Sequence, residues 1–264
     1  MTIAEQISEP AGVGRLLREW RERRRLTQLD LALRAEVSAR HLSFVETGRS
    51  RPTSDMILRL ARQLDVPLRE RNLLLLSGGY APAYPANDLS DPPMSAVHDA
   101  IERVLAAHEP FPAVVIDGQW ELIAANRAVA LLTEGCAPAL LEPPVNVLRL
   151  TLHPDGMAPR VANLPEWRAH LLDRLERDIA ASADAGLIRL RDELVRYPCP
   201  PPAARPDTRS ILVPLRLRVR DHTLSLLSTT TIFGTPRDVT LAELAIESFY
   251  PADAATAAVL TSAV

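Results

Sequence analysis

Two short stretches of the sequence carry most of the side chains whose types and spacing could do chemistry. The first, residues 38–44, places small polar, basic and aromatic side chains at the start of a predicted helix. A helix fits the major groove of DNA, where the side chains of its first turns can reach the edges of the bases. The second stretch is His153-Pro154-Asp155-Gly156, whose histidine and aspartate could form a general base with its orienting partner, or part of a metal site.

The surroundings of His153 and Asp155 favour a turn over a catalytic site. Pro-Asp-Gly is the composition of a turn, and no second histidine follows at metal-ligand spacing. The sequence also contains no G-x-S-x-G motif, no phosphate-binding loop and no G-x-G-x-x-G motif. We therefore predict no catalytic residue, no metal and no cofactor, and we do not expect an enzyme.

The first stretch needs two neighbouring helices to position it, and apolar periodicity predicts five short helices between residues 13 and 77. Thr27 and Ser38 have the chemistry of N-caps for the second and the third helix. A tight turn at Glu36-Val37 separates these two helices, which makes them a helix-turn-helix. The predicted helices run from Val13 to near Arg25, over Gln28–Ala35 and Ala39–Thr47, from Pro52-Thr53 onward, and over Leu68–Leu76.

The distribution of charge divides the chain into two unlike parts. Residues 1–80 hold 14 arginines and 10 acidic residues, a net charge of +4, whereas residues 81–264 hold 16 and 23, a net charge of −7. The net charge of −3 for the whole chain conceals this difference. A basic segment on an acidic body indicates an anionic partner for the first part.

Composition excludes several classes of protein. With only Cys136 and Cys199, the chain cannot form a disulfide framework or a four-cysteine zinc site. All of its basic residues are arginines, so Schiff-base chemistry on lysine is excluded. No apolar run is long enough for a membrane helix, and the first residues lack the pattern of a signal peptide. We expect a cytoplasmic protein without a membrane partner.

The helical segment contains a set of residues at fixed spacing: Leu26-Thr27-Gln28, Leu31-Ala32, Ala35, Val37-Ser38, Leu42-Ser43, Glu46, Gly48, Pro52-Thr53, Leu60-Ala61, Leu64 and Val66. With these residues it resembles the phage-repressor, or XRE/Cro, type of DNA-binding domain. The family usually has glycine in the turn between the second and third helix, where this chain has Glu36. A left-handed conformation at this residue would cost about 1 kcal/mol.

This resemblance implies how a dimer of the chain would bind a double-stranded DNA operator. Ala39, Arg40 and Phe44 would lie nearest the bases, although Phe44 has packing inside the domain as an equal alternative. The family also pairs an arginine of the first helix with the glutamate that ends the third, here Arg21 and Glu46, in a structural role. Loop arginines are expected at phosphates. The predicted DNA-binding residues are Gln28, Ser38, Ala39, Arg40, His41, Ser43, Phe44, Arg49, Arg51 and Thr53.

The remaining sequence reads as a proline-rich linker followed by an α+β domain. Asp117-Gly118 between two apolar runs predicts a hairpin, and Asn126 is expected to cap the helix after it. Pro214 places its strand at an edge or a bulge. The predicted elements are a helix at Met94–His108, strands at Ala113–Asp117 and Glu121–Ala125, helices at 165–183 and 185–196, and strands at Ile211–Arg220 and Thr223–Phe233.

The end of the first part and the second part contain a further set of motifs: Arg69-Glu70-Arg71-Asn72, Gly79-Tyr80-Ala81-Pro82, Trp120, Ala124-Ala125-Asn126-Arg127-Ala128, Pro144-Val145-Asn146, Leu148-Arg149, His153-Pro154-Asp155-Gly156 and Pro159-Arg160. With these residues the chain resembles the MmyB-type regulators. The family joins a repressor-type helix-turn-helix to a PAS-like domain that is proposed to sense a ligand, with long-chain fatty acid as one known occupant. The resemblance implies an all-α five-helix domain at residues 1–80, a linker at 81–93 and an α+β PAS-like domain with an antiparallel sheet at 94–264.

A PAS-like pocket should be apolar with few polar anchors. An arginine is the natural partner of a ligand carboxylate, because its planar fork matches the two oxygens. Arg149 is the first candidate, with a structural ion pair as the alternative. The predicted ligand-binding residues are Trp120, Asn126, Arg127, Leu148, Arg149, Leu152, Arg160 and Phe233.

These features favour a dimeric transcription regulator whose second domain takes a small apolar or amphiphilic, fatty-acid-like ligand. One alternative is a ligand-independent regulator whose acidic domain only dimerises or contacts a protein partner. Another is a hydrolase whose helix-turn-helix regulates its own gene. Leu29 and Leu33 occupy positions that are often polar in repressor domains, and they could pack on the fifth helix or on a partner.

Overall fold

A computed structural model describes residues 12–201 and 212–263 of the chain. The residues divide into two compact units, the first formed mainly by residues up to Ala86 and the second by most of the rest. The domain boundaries at 80 and 93 stay a prediction. A turn of 3-10 helix, Pro92–Met94, spans the end of the predicted linker and the first residue of the predicted second domain. Ile211, the predicted first residue of a strand, lies outside the described residues.

The first unit contains five helices in its described part, and local side-chain chemistry sets where they begin. The Thr27 hydroxyl accepts a hydrogen bond from the Asp30 amide at 3.1 Å, and the Asp30 carboxylate accepts one from the Thr27 amide at 2.9 Å. The Ser38 and Thr53 hydroxyls cap the third and fourth helix by accepting hydrogen bonds from the His41 and Met56 amides. The helices are α1 (Val13–Arg23), α2 (Gln28–Arg34), α3 (Ala39–Glu46), α4 (Ser54–Gln63) and α5 (Leu68–Ser77).

The core of this unit brings α1 very close to α3. Leu17 of α1, Leu42 of α3 and Leu60 of α4 are fully buried together. Gly14 permits the close approach, because a Cβ atom there would lie 2.1 Å from the carbonyl oxygen of Val45. In the turn before α3, Glu36 has a φ of 54°, so this chain adopts the left-handed conformation without the usual glycine.

The second unit is built on an antiparallel sheet that, in the described residues, has five strands in the order β2-β1-β5-β4-β3. β5 occupies the centre and pairs with both β1 and β4, yet the sequence did not predict it. Its residues, AIESFYP, do not alternate regularly between apolar and polar, so the period of two that marks a strand is absent. The strands are β1 (Ala113–Ile116), β2 (Leu122–Ala125), β3 (Leu215–Val219), β4 (His222–Ile232) and β5 (Ala245–Pro251).

Helices cover both faces of this sheet. Ile101 and Leu105 of α6 pack against Val115 and Ile246 on one face. On the other face, α7 to α10 pack against residues such as Val114 and the inward side chains of β3. The helices are α6 (Ser95–His108), α7 (Val129–Thr133), α8 (Val147–Leu152), α9 (Leu164–Ser182), α10 (Ala185–Val195), α11 (Val239–Glu243) and α12 (Ala254–Ala263). The predicted fold class, a five-helix unit followed by a PAS-like α+β unit, is confirmed.

The predicted cap at Asn126 is wrong. The following helix begins three residues later, after Ala128, and has no side-chain cap. Asn126 is instead buried, where its Oδ1 accepts a hydrogen bond from the Ala113 amide at 3.1 Å and its Nδ2 donates to the Phe111 carbonyl at 2.8 Å. A buried amide is stabilised by such bonds, so Asn126 fastens the loop before β1 to the end of β2.

Candidate functional site

On the exposed surface of α3, two arginines lie close to one aromatic ring. The Arg40 guanidinium carbon lies 5.4 Å from the centroid of the Phe44 ring, and that of Arg49 lies 6.0 Å from the same centroid. Both arginines are exposed, and Phe44 is half-buried. Cation–π attraction therefore holds the two positive charges over one side of the helix.

Beneath this surface, Arg21 and Glu46 form the structural ion pair that was predicted. Arg21 Nε and Nη2 donate to Glu46 Oε1 and Oε2 at 2.7 and 2.9 Å, and both side chains are buried. The hydrogen bond to Glu46 raises the pKa of the Arg21 guanidinium. Gln28 Nε2 also donates to Glu46 Oε2, at 2.8 Å, so the first residue of α2 is fastened to the last residue of α3.

Several other predicted DNA contacts have structural hydrogen bonds of their own. Arg51 donates to the Gly78 carbonyl at 2.9 Å and lies 5.7 Å from the Tyr80 ring, which ties it to the end of α5. The Ser38 and Thr53 hydroxyls accept from the amides of the first turns they cap. Ala39, His41 and Ser43 are half-exposed on α3. These residues all lie on α3 or at the ends of its neighbours, and their roles at DNA stay a prediction.

The second unit contains a partly open apolar cavity of about 90 Å³ between the sheet and the helices of one face. An engineered cavity of about 150 Å³ is enough for benzene, so this one holds less than a small aromatic molecule. Its walls come from β1, β3, β4 and β5 on one side and from α7, α8 and α9 on the other. Lining residues include Val114, Trp120, Val129, Leu132, Leu148, Leu150, Met157, Leu171 and Phe249.

One wall of this cavity contains a buried ion pair between Arg174 of α9 and Glu247 of β5. Arg174 Nη2 and Nη1 donate to Glu247 Oε1 and Oε2 at 2.5 and 3.1 Å. The side chains of Arg174 and Glu247 are 19% and 6% exposed. The Thr230 hydroxyl also donates to Glu247 Oε1, at 2.7 Å. The Arg174 guanidinium also lies over the Trp120 ring, 4.8 Å from its centroid.

Two more polar groups belong to the same region. Trp120 Nε1 donates to Asp178 Oδ2 at 3.0 Å, and burial raises the pKa of the Asp178 carboxyl. Burial and the nearby charge of Arg174 lower the pKa of His170, whose ring lies 5.2 Å from that of Trp167. The Trp167 indole N–H is buried and has no hydrogen-bond partner in the described part of the chain.

Of the eight predicted ligand-binding residues, Trp120 and Leu148 line the cavity. Arg149, the first candidate, instead binds Glu193 with both ends of its fork, at 2.7 and 2.8 Å, as the structural alternative proposed. This pairing lowers the pKa of Glu193 to about 2, and burial raises the pKa of Tyr197, a further partner of Glu193, to about 12.

The other five predicted residues lie elsewhere. Arg127 is paired with Glu109 at an open groove of the surface. Arg160 donates to the Leu132 carbonyl at 2.6 Å, so it braces the end of α7. Leu152 is part of the core, and Phe233 packs on the opposite face of the sheet. The Asn126 side chain is hydrogen-bonded to the backbone at Ala113 and Phe111.

Sequence reasoning missed Arg174 and Glu247. Arg174 follows Trp167 and Leu171 at positions i, i+4 and i+7, so it continues a buried stripe of α9, which was a usable signal. Glu247 lies between Ala245 and Phe249 on the inward side of a strand that was not predicted at all. A charge at a core position of a strand normally has a partner.

The predicted turn at His153-Pro154-Asp155-Gly156 is confirmed. The Gly156 amide donates to the His153 carbonyl at 2.9 Å, and the Asp155 amide donates to His153 Nδ1 at 3.0 Å. Among the described residues, no cluster of three or more histidine, cysteine, aspartate or glutamate side chains could hold a metal ion. In the same residues, we find no helix with the length and apolar character to cross a membrane.

Comparison with known proteins gives a family match for each of the two parts of the chain. Residues 97–263 match the family model of the MmyB-like transcription regulator ligand binding domain, and residues 17–71 match a helix-turn-helix model. No curated protein matches the chain. A solved structure of an RNA-binding light-oxygen-voltage receptor is 14% identical to this chain. The match covers 98% of this chain and 61% of the receptor chain, with a TM-score of 0.28. The ligand-binding-domain model matches well over half of the residues of this chain. The chain therefore belongs to the MmyB-like transcription regulators.

Proposed function

We propose that the chain acts as a sequence-specific, dimeric regulator whose affinity for DNA depends on a small apolar or amphiphilic ligand with a fatty-acid-like chain. The observation that carries this proposal is the cavity of the second unit, which is apolar except for a few polar side chains. Pockets for small molecules have this character. The helix-turn-helix supplies the DNA-binding half of the proposal.

In the DNA complex, α3 enters the major groove with Arg40 at a base and Arg49 at a phosphate. Support comes from the exposure of both arginines and from their stacking on Phe44, which limits the conformations they must give up on binding. The net charge of +4 on residues 1–80 is modest for a DNA-binding domain. Two copies on half-sites one helical turn apart, about 34 Å, would double the attraction to phosphate.

Ligand binding requires the second unit to expand. A cavity of about 90 Å³ is smaller than an acyl chain, so the helices α7 to α9 must move away from the sheet as the chain enters. Each buried CH₂ group would contribute about 0.8 kcal/mol toward this rearrangement. A coupling of about 1–3 kcal/mol to DNA affinity is typical of such regulators and corresponds to roughly 5- to 150-fold.

Native mass spectrometry of the purified full-length protein, followed by DNA binding with and without the identified ligand, tests the proposal. We expect a dimer that carries a small amphiphile, and an operator affinity that changes at least fivefold when the amphiphile is removed. Equal affinity with and without it would make the molecule a passenger from the expression host and would sink the regulatory role.

The cavity's small volume favours one alternative specifically. A dimer that is empty and stays empty in the presence of acyl compounds would support a ligand-independent regulator, whose second unit serves dimerisation or a protein partner. DNA binding by α3 would be unaffected by that outcome, because it rests on the first unit alone.

A further inference from the structure

We propose that the ligand of the second unit has an uncharged head group with a hydrogen-bond-accepting oxygen, such as an alcohol, an ester or a lactone, and not a carboxylate. This inference rests on the ligand-sensing function proposed above and specifies the chemistry of the same cavity. It follows from accounting for each polar side chain that lines the cavity.

The single cation in the described lining, Arg174, is already committed. Its fork matches the two oxygens of Glu247, and Nη2 also donates to the Thr230 hydroxyl at 3.1 Å. A ligand carboxylate could take this fork only by displacing Glu247, which would leave a carboxylate buried without its partner. Breaking a buried ion pair in this way is strongly unfavourable.

The electrostatic surroundings oppose a second anion as well. Glu247 compensates the charge of Arg174, and Asp178 adds a further carboxyl group beside Trp120. His170, Arg177 and Asp173 are further titratable or charged groups near this wall in the described residues, and Arg177 pairs with Asp173 at 3.3 Å. The wall therefore has no surplus positive charge to attract a carboxylate.

The remaining polar side chains of the lining sort into satisfied groups and available donors. The Thr133 and Thr151 hydroxyls donate to carbonyls of their own helices, at 3.3 and 2.6 Å. Trp120 Nε1 donates to Asp178. This leaves the Trp167 N–H, which is buried without a hydrogen-bond partner within residues 12–201 and 212–263, and the half-buried Ser228 hydroxyl.

The Trp167 N–H is the stronger of the two indications. Trp167 is 3% exposed, and a buried donor without an acceptor is rare because it forfeits its hydrogen bond to water. A ligand oxygen that entered as the cavity opened would supply the missing acceptor. An alcohol, ester or lactone oxygen can do so without bringing a charge into the apolar interior.

The test is direct binding of three matched probes to the full-length protein at pH 8, by calorimetry: 1-decanol, methyl decanoate and sodium decanoate. We expect the alcohol and the ester to bind at least tenfold more tightly than decanoate. Decanoate affinity equal to or above that of the alcohol would overturn the uncharged head group and leave ligand sensing intact. Failure of all three probes to bind would instead overturn ligand sensing, and this inference with it.

Two substitutions sharpen the test. Glu247→Gln keeps the shape of the side chain but frees the charge of Arg174, so decanoate affinity should rise at least tenfold relative to that of decanol. Trp167→Phe keeps an aromatic ring and removes the N–H, so decanol and ester affinity should fall about 2- to 10-fold, the range for one hydrogen bond. If Glu247→Gln does not fold, Trp167→Phe decides: unchanged decanol and ester affinities would overturn the role of its N–H.

Discussion

Arg21 and Glu46 fasten the last turn of α1 to the last residue of α3 through two parallel hydrogen bonds of 2.7 and 2.9 Å between buried side chains. Gln28 adds a third bond to the same carboxylate, at 2.8 Å. This buried ion pair therefore fixes the position of α3, the helix that we place in the major groove, without being part of its exposed surface.

Removing one partner of this pair should destabilise the first unit severely. We expect Glu46→Ala to lower the free energy of unfolding by about 3–5 kcal/mol, because Arg21 would keep a buried, uncompensated charge. Urea unfolding followed by tryptophan fluorescence measures this, with Trp20 as the reporter in the first unit and Trp120 and Trp167 in the second. The matched control is Arg18→Ala on the same helix, whose pair with Glu22 is exposed and should contribute little to stability. Equal losses for the two variants would contradict the structural role of Arg21 and Glu46.

Arg40 and Arg49 should differ in how their loss affects DNA recognition, although both contact Phe44. Arg40→Ala should cost roughly 1–3 kcal/mol on the operator and much less on random DNA, because a base contact carries the specificity. Arg49→Ala should lower the affinity for both DNAs by a similar factor. The slope of the logarithm of affinity against the logarithm of salt concentration should also become shallower, by the amount expected for about one phosphate contact. Titrations of both variants on operator and random duplexes check this. Equal losses on the two DNAs for Arg40→Ala would rule out base reading.

The sequence predicts those elements whose causes are local. Thr27, Ser38 and Thr53 act as caps through bonds to amides three residues away, so their type and position were enough to find the starts of α2, α3 and α4. The pairing of Arg21 with Glu46 joins residues distant in sequence, and it could be predicted only through the resemblance to repressor domains.

The cavity wall could not be predicted because its causes are tertiary. Glu247 is acceptable on the inward side of a central strand only since Arg174 reaches it from a helix 73 residues earlier in the chain. Conversely, Arg149 beside an apolar segment looked like a ligand anchor, but Glu193 on α10 occupies its fork. The residue type and the neighbouring sequence are similar in the two cases, and only the fold decides which arginine faces the cavity.

The Arg149–Glu193 pair should make stability depend on pH in the acid range. In the folded state the pKa of Glu193 is about 2, below the ordinary value of 4.5. Ionised Glu193 therefore stabilises the fold above pH 4.5, and this contribution is lost as the pH falls toward 2. Both side chains are more than a third exposed, so solvent screening limits the effect to about 1 kcal/mol. Glu193→Gln should therefore be less stable than wild type at pH 7 and nearly equal to it at pH 2.

Chemical unfolding at several pH values measures this difference. The matched control is Glu142→Gln, at an exposed position of the same unit, which should show a small difference from wild type that does not change with pH. A Glu193→Gln difference that is independent of pH would contradict an electrostatic contribution from the pair.

The approach of α1 to α3 predicts a strong effect of a single methyl group. In Gly14→Ala the new Cβ would lie 2.1 Å from the Val45 carbonyl oxygen, so the two helices must separate. We expect a loss of about 1–3 kcal/mol or more, the range for overpacking, together with weaker operator binding because α3 shifts. Gly12→Ala is the control, since no atom lies within 4 Å of its added Cβ. Thermal unfolding that is equal in the two variants would contradict this account.

Enlarging the cavity should change which ligand fits best. Leu171→Ala removes about three carbon atoms from the lining, so the alcohol chain length that binds most tightly should increase by about three carbons. The ligand-free variant should be less stable by about 2–5 kcal/mol, and a long-chain alcohol should recover part of this loss by filling the space. Dissociation constants for alcohols of increasing length check the shift.

Ile101→Ala is the matched control for this enlargement. Ile101 is as deeply buried as Leu171, but it packs with α6 against the opposite face of the sheet. Its loss should therefore destabilise the second unit by a comparable amount and leave the preferred chain length unchanged. A shift of chain length in both variants would mean that general loosening, and not the lining of the cavity, selects the ligand. No shift in either would mean that the alcohol binds outside this cavity.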